Sequence, residues 1–325
     1  MTWYYFAAAA VFGLIFGSFF NVAIYRLPRG KPLDSRSRCT ACGSVIRWYD
    51  NIPVVSFILL GRRCRSCGEQ ISWRYPLVEI STALLFAFMY WWSIKIVPGL
   101  LEVPGGRAFQ PELLVGLVLV SVLIVITGTD LTHGIIPNKA VAVGLMTMLP
   151  SVIGCALYRQ QPGRIGQAVL ASVAGGAFFL VAGLLYGAFF MRSGVEKHEG
   201  EGDQAHAEKP GPERGAGISQ STRHIDEVQP DDEGQGEEIS TGVGMGDVKL
   251  MLVTGLALGY FHWYFIMVHV FLSSVIVGVA VLPLMIFLGK GRKSRIPFGP
   301  FLAAGAILTV VWGQALTELY VRLLR

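Results

Sequence analysis

The sequence predicts an all-α, polytopic membrane protein of about eight transmembrane helices. Three observations carry that expectation. Of the 325 residues, 53% are hydrophobic and only 15% charged. The apolar residues fall in near-continuous runs at about 4–20, 77–97, 113–129, 140–157, 167–190, 248–262, 264–288 and 299–321, close to the roughly 17–25 residues that cross a bilayer. Backbone groups in lipid must find their partners within the segment, so each run is read as a helix. The sixth and seventh runs are divided only by the aromatic stretch Tyr260–Tyr264.

Taken in order, residues 1–20 form the first helix. No basic stretch precedes its apolar core, and Arg26, Arg29 and Lys31 follow it, so it reads as an uncleaved span with the N-terminus outside. Lysine and arginine set the orientation. Residues 21–76 carry ten of them and 289–297 carry four (Lys290, Arg292, Lys293, Arg295), against one in 98–111 and two in 159–164. Both termini are therefore expected outside, despite Arg322 and Arg325, with the large loops on the cytoplasmic side. The net charge of +5 conceals a split: residues 191–240 hold 13 acids and 5 bases. The basic excess elsewhere suits anionic membrane lipids and requires no nucleic acid.

Residues 21–76 hold Cys39-Thr-Ala-Cys42 and Cys64-Arg-Ser-Cys67. Paired C-x-x-C knuckles about twenty residues apart present four thiolates to one tetrahedral Zn2+. Gly43 and Gly68 suit the tight turns behind each pair. Disulfides are disfavoured in a reducing cytoplasm, and no βαβ pattern supports a redox motif. Four thiolates leave no open coordination position, so the zinc is structural. The predicted fold class is thus completed by a cytoplasmic zinc-binding loop. Cys155, alone in the fourth run, is a packing residue.

Residues 77–190 give helices two to five. Residues 191–242 are acidic, rich in Gly, Glu, Asp, Gln and Pro, and lack apolar periodicity, so disorder is expected. Their histidines, His198, His206 and His224, are scattered and read as part of a solvated linker. Residues 243–325 give helices six to eight. No internal repeat, GxGxxG or P-loop pattern is found.

Asp130 ends the third run and Asp247 begins the sixth, in Gly244-Met-Gly246-Asp247. Each has a plain alternative: a helix end at headgroup level for Asp130 and an N-cap for Asp247. Both nevertheless fall on the same expected face, and carboxylates at a membrane boundary are functional candidates. As a pair they suit aspartyl acid–base chemistry. Gly244 and Gly246 allow a substrate strand close approach. Lys249 either tunes the pair or snorkels to the headgroups. Glu79 is either an acid favoured by a helix start or part of a cofactor or substrate-amine site. His269 is a hydrogen-bonded packing residue. A proton-coupled transporter would place acids near mid-membrane with inverted repeats, and a noncatalytic assembly scaffold would tolerate loss of either aspartate.

The chain resembles the bacterial type IV prepilin peptidases (leader peptidase and N-methyltransferase). The resemblance is carried in order by Gly17-Ser-Phe-Phe-Asn21-Val-Ala-Ile-Tyr-Arg26-Leu-Pro28, the two cysteine pairs, Tyr49-Asp-Asn-Ile-Pro53, Arg74-Tyr-Pro-Leu-Val-Glu79, the Asp130 block, Gly244-Met-Gly-Asp247-Val-Lys-Leu250 and Pro297-Phe-Gly-Pro-Phe301. It implies a GxGD aspartyl peptidase with Asp130 and Asp247 catalytic. It also implies prepilin or pseudopilin substrates cut after glycine on the cytoplasmic side. Methylation of the new N-terminus by S-adenosyl-L-methionine is implied in addition. Thr241 stands where the family usually has a glutamate, and the acidic insert is longer than the usual connector. If the insert is a linker, deleting 196–238 leaves leader cleavage unchanged at low and high salt. A turnover loss confined to low salt would instead establish electrostatic handling of basic leaders.

Overall fold

The computed structural model describes residues 2–101, 110–195, 245–288 and 297–323. Among the described residues, eight long helices of 17 to 33 residues coincide with the eight apolar runs: α1 Thr2–Arg26, α2 Arg74–Lys95, α3 Glu112–His133, α4 Asn138–Tyr158, α5 Gly163–Val195, α6 Met245–Phe261, α7 Phe265–Leu288 and α8 Gly299–Leu323. Among the described residues no strand forms, only two isolated bridges. Among the described residues six helices, α1 to α5 and α8, are long and apolar enough to cross a membrane, against the eight spans expected. The 17-residue α6 is shorter, and the described apolar part of α7 is Phe265–Ala280. One compact unit comprises Met1–Leu180 with Met245–Arg325 and a second Val181–Gly244. The described part of the second is the last turns of α5. Most of the acidic insert, its three histidines, Thr241, Gly244 and the four basic residues of 289–296 lie outside the described residues.

Burial follows the logic of a membrane protein. Large apolar side chains such as Phe12, Leu84, Met146, Leu170 and Phe271 are exposed on helix surfaces, while Thr82, Ser93, Thr254 and Thr309 are buried between helices. The hydroxyls donate to carbonyls one turn back in their own helix, as in Thr82 to Val78 and Thr309 to Gly305. His269 is fully buried, with Nδ1 3.3 Å from Ser273 Oγ. Cys155 is buried and donates to the Pro111 carbonyl at 3.2 Å, the expected packing role.

Helix pairing rests on small residues. Gly13 and Gly17 form a G-x-x-x-G step on α1, where an added Cβ would lie 2.5 Å from Ala83 Cα and 2.7 Å from Glu79 Cα. Gly255 and Gly259 repeat the step on α6, facing Ser172 and Ala171 of α5. Without a hydrophobic drive between helices in lipid, such close approach supplies the packing that holds them.

The first helix runs past residue 20 to Arg26, so the cysteine loop starts later than the composition suggested. Ala23 and Ile24 stay buried, and Asn21 donates to the Tyr75 carbonyl at 3.0 Å. Arg26 closes the helix by donating to the carbonyls of Pro32, Leu33, Ser35 and Arg36.

A buried polar cluster fixes the far end of the bundle. Arg159 forms a bidentate pair with Glu112 at 2.8 Å and donates to Gln110. Tyr260 Oη donates to Glu112 at 3.1 Å, and Arg164 donates to the Tyr260 and Phe261 carbonyls at the end of α6. The Glu112 side chain has no exposure, so removing its cation strands a charge. Arg159→Met is expected to cost about 3–5 kcal/mol. Adding Glu112→Gln should recover a large part of it, as read from thermal unfolding in detergent. Equal loss in the single and double variants would show that the pair is not what holds this end.

Candidate active site and metal centre

Asp130 lies in the last turn of α3, buried, beside a helix end that Gly134 closes in the left-handed conformation (φ 65°) with its N–H on the Asp130 carbonyl at 2.8 Å. One carboxylate oxygen accepts the Gly299 N–H at 2.7 Å. That donor is the first residue of α8, so the acid sits on the positive end of a helix. A Cβ on Gly299 would stand 2.7 Å from the same oxygen, which explains the glycine in Pro297-Phe-Gly-Pro-Phe301. Gly299 was not singled out in the sequence, because its partner is 169 positions away.

Asp247 is buried in the first turn of α6. Gly246 places the start of α6 against the turn leaving Asp130: a Cβ there would lie 2.9 Å from Ile136 Cβ. Lys249 Nζ donates to Asn138 Oδ1, the first residue of α4, at 2.7 Å. The bond links the start of α6 to the start of α4. Deeper in the bundle, Gly144 of α4 meets Val122 of α3 and Val253 of α6. The two aspartate-bearing helix ends and the turn 134–137 therefore form one neighbourhood, which α8 adjoins through Gly299.

His133 belongs to the same end. Arg29 Nη1 is 2.8 Å from its Nε2, and Thr132 Oγ1 is 2.7 Å from its Nδ1. Guanidinium can only donate, so Nε2 accepts and Nδ1 carries the proton. The contact ties the exit of α1 to the exit of α3. Sequence reasoning passed over His133 because Arg29 is 104 positions distant.

The four loop cysteines converge. Their sulfurs all lie within 4.8 Å of one another, and Cys39 Sγ and Cys67 Sγ are 3.9 Å apart. Zn–S bonds of about 2.3 Å imply a tetrahedral edge of about 3.8 Å. All four are free thiols, and the spacing is far beyond the roughly 2.05 Å of a disulfide. The donor set can hold a metal ion. Cys42 is drawn down to about 6, chiefly by the Ser44 hydroxyl, and Cys64 is lowered by backbone donors. Burial and the neighbouring sulfurs push Cys67 up to about 12, so it is the convergence of the sulfurs that marks a metal site.

The cysteine module is built from one unit used twice, a repeat the sequence reading did not find. Bridges pair Arg38 with Val45 and Arg63 with Gln70. Gly43 N–H bonds the Cys39 carbonyl at 3.0 Å and Gly68 N–H bonds that of Cys64 at 2.9 Å. Both glycines have positive φ, 70° and 74°. Arg-Cys-x-x-Cys-Gly-x-x-Ile-x-Trp recurs from Arg38–Trp48 to Arg63–Trp73. Arg65 in the second knuckle clasps Asp50 in the connecting segment, with contacts of 2.6 to 3.2 Å, and holds that carboxyl below its ordinary range.

Glu79 is 7% exposed, in the second turn of α2. Its Oε2 accepts the Val54 N–H at 2.8 Å, joining the cysteine module to the bundle. Val54 has φ 60° and ψ −46°, a conformation that costs a β-branched residue on the order of 1–3 kcal/mol.

The model described as bacterial peptidase A24 N-terminal domain matches residues 11–93, and that of the type IV leader peptidase family matches 117–282. The chain is 28% identical to a prepilin leader peptidase/N-methyltransferase of Aeromonas salmonicida, covering 98% of this chain and 95% of that protein. A protein of the same description from Aeromonas hydrophila gives 28% over the same shares. One from Myxococcus xanthus is 41% identical over 42% of this chain and 37% of its own length. No solved structure matches.

Proposed function

The chain belongs to the type IV leader peptidase family, and from that premise we propose that it is an intramembrane aspartyl endopeptidase. It removes the short basic leader of type IV prepilins or pseudopilins, cutting after glycine on the cytoplasmic side, and then N-methylates the new N-terminal residue. The observation that carries the reading is the packing of α6, just before Asp247, onto the turn that follows Asp130. Both acids lie in the end turns of their helices rather than mid-span, which favours a peptidase over a proton-coupled transporter.

In this reading Asp130 and Asp247 share one proton, because two close carboxyls resist double ionisation. The ionised carboxylate takes a proton from water as its oxygen attacks the scissile carbonyl. The protonated partner hydrogen-bonds the carbonyl oxygen and stabilises the charge developing there. Collapse breaks the C–N bond, and the proton taken from water goes to the leaving amine. Gly246 lets α6 pack on Ile136 beside the pair, and by resemblance Gly244 lets the substrate backbone approach it.

Cys39, Cys42, Cys64 and Cys67 hold a structural Zn2+ that orders the loop. S-adenosyl-L-methionine, when bound, supplies the activated methyl group for the second reaction. The basic loops face anionic lipid headgroups. The direct test incubates purified protein in detergent with a leader-bearing pilin precursor and S-adenosyl-L-methionine, and reads the product N-terminus by mass spectrometry. Leader removal followed by one added methyl group is the expected result. Intact precursor after prolonged incubation with metal-replete protein would overturn the peptidase reading.

A further inference from the structure

We infer that Glu79 and the cavity beside it form a binding site for a small organic cation. Two sources share that chemistry: the sulfonium of the methyl donor and the free amino terminus of the cleaved substrate. The inference rests on the methyl-transfer reading above and gives that reaction a place.

A cavity of about 280 Å³ opens between α1 and the cysteine module, lined among others by Ser18, Phe19 and Val22 on one side and Ser35, Asn51 and Pro53 on the other. Its size is near the lower bound for small-molecule sites. Its lining combines serine hydroxyls and the Asn51 amide with the Phe19 ring and aliphatic carbons, a mixture that suits a compact polar cation with an apolar body. Glu79 stands behind that wall. Ser18 both lines the cavity and hydrogen-bonds the Glu79 side chain. Pro53 lines it too, and the next residue, Val54, gives its N–H to Glu79.

The Glu79 carboxyl is buried with no paired cation beside it. Among the described residues the ion pairs are Arg65 with Asp50 and Arg159 with Glu112, and no lysine or arginine pairs with Glu79. An acid at the end of a membrane helix is costly to keep unpaired. Here the surroundings go further and are strained to hold it: Val54 adopts positive φ so that its N–H meets Oε2. Backbone strain of this kind concentrates at functional sites. Gly17 contributes by bringing α1 onto the Glu79 backbone, where any Cβ would fall 2.7 Å from Glu79 Cα. A buried acid with no paired cation beside it, a strained donor and an adjacent cavity are together explained by a cationic ligand that would hold the carboxyl ionised, whereas a purely structural latch needs no charge.

Glu79→Gln separates these accounts, because the amide oxygen still accepts the Val54 N–H while the charge is gone. Equilibrium binding to the purified, zinc-loaded full chain is measured for S-adenosylmethionine and for uncharged S-adenosylhomocysteine. A second arm compares a peptide matching the cleaved substrate with a free or an acetylated amino terminus. Zinc content and melting temperature serve as controls. The expected result is at least about a tenfold loss of affinity for one of the two cations, with its uncharged counterpart changed less than about twofold. The cation that loses affinity identifies the ligand. Unchanged binding of both cations, or equal loss of charged and uncharged ligands together with zinc, would overturn the assignment. If the unsubstituted chain binds neither S-adenosyl compound, the methyl-transfer reading falls as well, which a negative result confined to Glu79→Gln would not imply.

Discussion

Asp130→Asn and Asp247→Asn are each expected to fold and to slow leader cleavage by about 10²–10⁴-fold, the range set by loss of one general acid–base partner. Asparagine has nearly the shape of aspartate. At position 130 its amide oxygen can still accept the Gly299 N–H that joins α3 to α8. At position 247 the contact of Gly246 with Ile136 and the bond of Lys249 to Asn138 are untouched. The amide cannot, however, take a proton from water or share one with the other acid. Because the two act as a unit, the double variant should be little slower than either single. The measurement is a cleavage time course by mass spectrometry, with size-exclusion profile and melting temperature as folding controls. A well-folded single variant with ordinary turnover would end the aspartyl mechanism, as would losses that multiply in the double variant.

Stripping metal from the cysteine module, or replacing Cys64 by serine, is the second large effect expected. Binding free energies of structural zinc in small modules are about 10–16 kcal/mol, and that energy is folding energy. The module has little else to hold it: two isolated bridges, two short helical turns and one exposed ion pair. Ile58, Leu59 and Trp48 are largely exposed rather than packed in a core. Without metal the segment between Arg38 and Ile71 should become sensitive to trypsin, which has Arg47, Arg62, Arg63 and Arg65 to attack. The eight helices should keep their circular-dichroism signal. One zinc per chain by elemental analysis is expected beforehand. A module that resists protease equally with and without metal would show that the four thiols are not its fastening.

These expectations also show where the sequence was sufficient. Helix identity was legible because lipid leaves the backbone one solution, so apolar length alone marks each segment. The cysteine pairs were legible because knuckle spacing is a local property of the chain. Asp130 and Asp247 stood out because acids are scarce in apolar runs. Their neighbours were not legible: Gly299, Ile136, Asn138 and His133 acquire meaning only from partners on other helices. The doubled cysteine unit was readable in principle, through Arg38–Trp48 and Arg63–Trp73, but at a scale shorter than a helix repeat.

What the linear chain determined by itself was chemistry and period: which stretches are apolar, which cysteines are paired, which acids are out of place. The tertiary structure alone decided adjacency. Close approach of α1 to α2, permitted by Gly13 and Gly17, sets the Glu79 backbone against α1, and the missing Cβ of Gly299 lets its amide meet Asp130. The physical reason is range: turn and span preferences act over a few residues, whereas a buried charge is satisfied by whatever donor packing delivers, however far along the chain that donor lies.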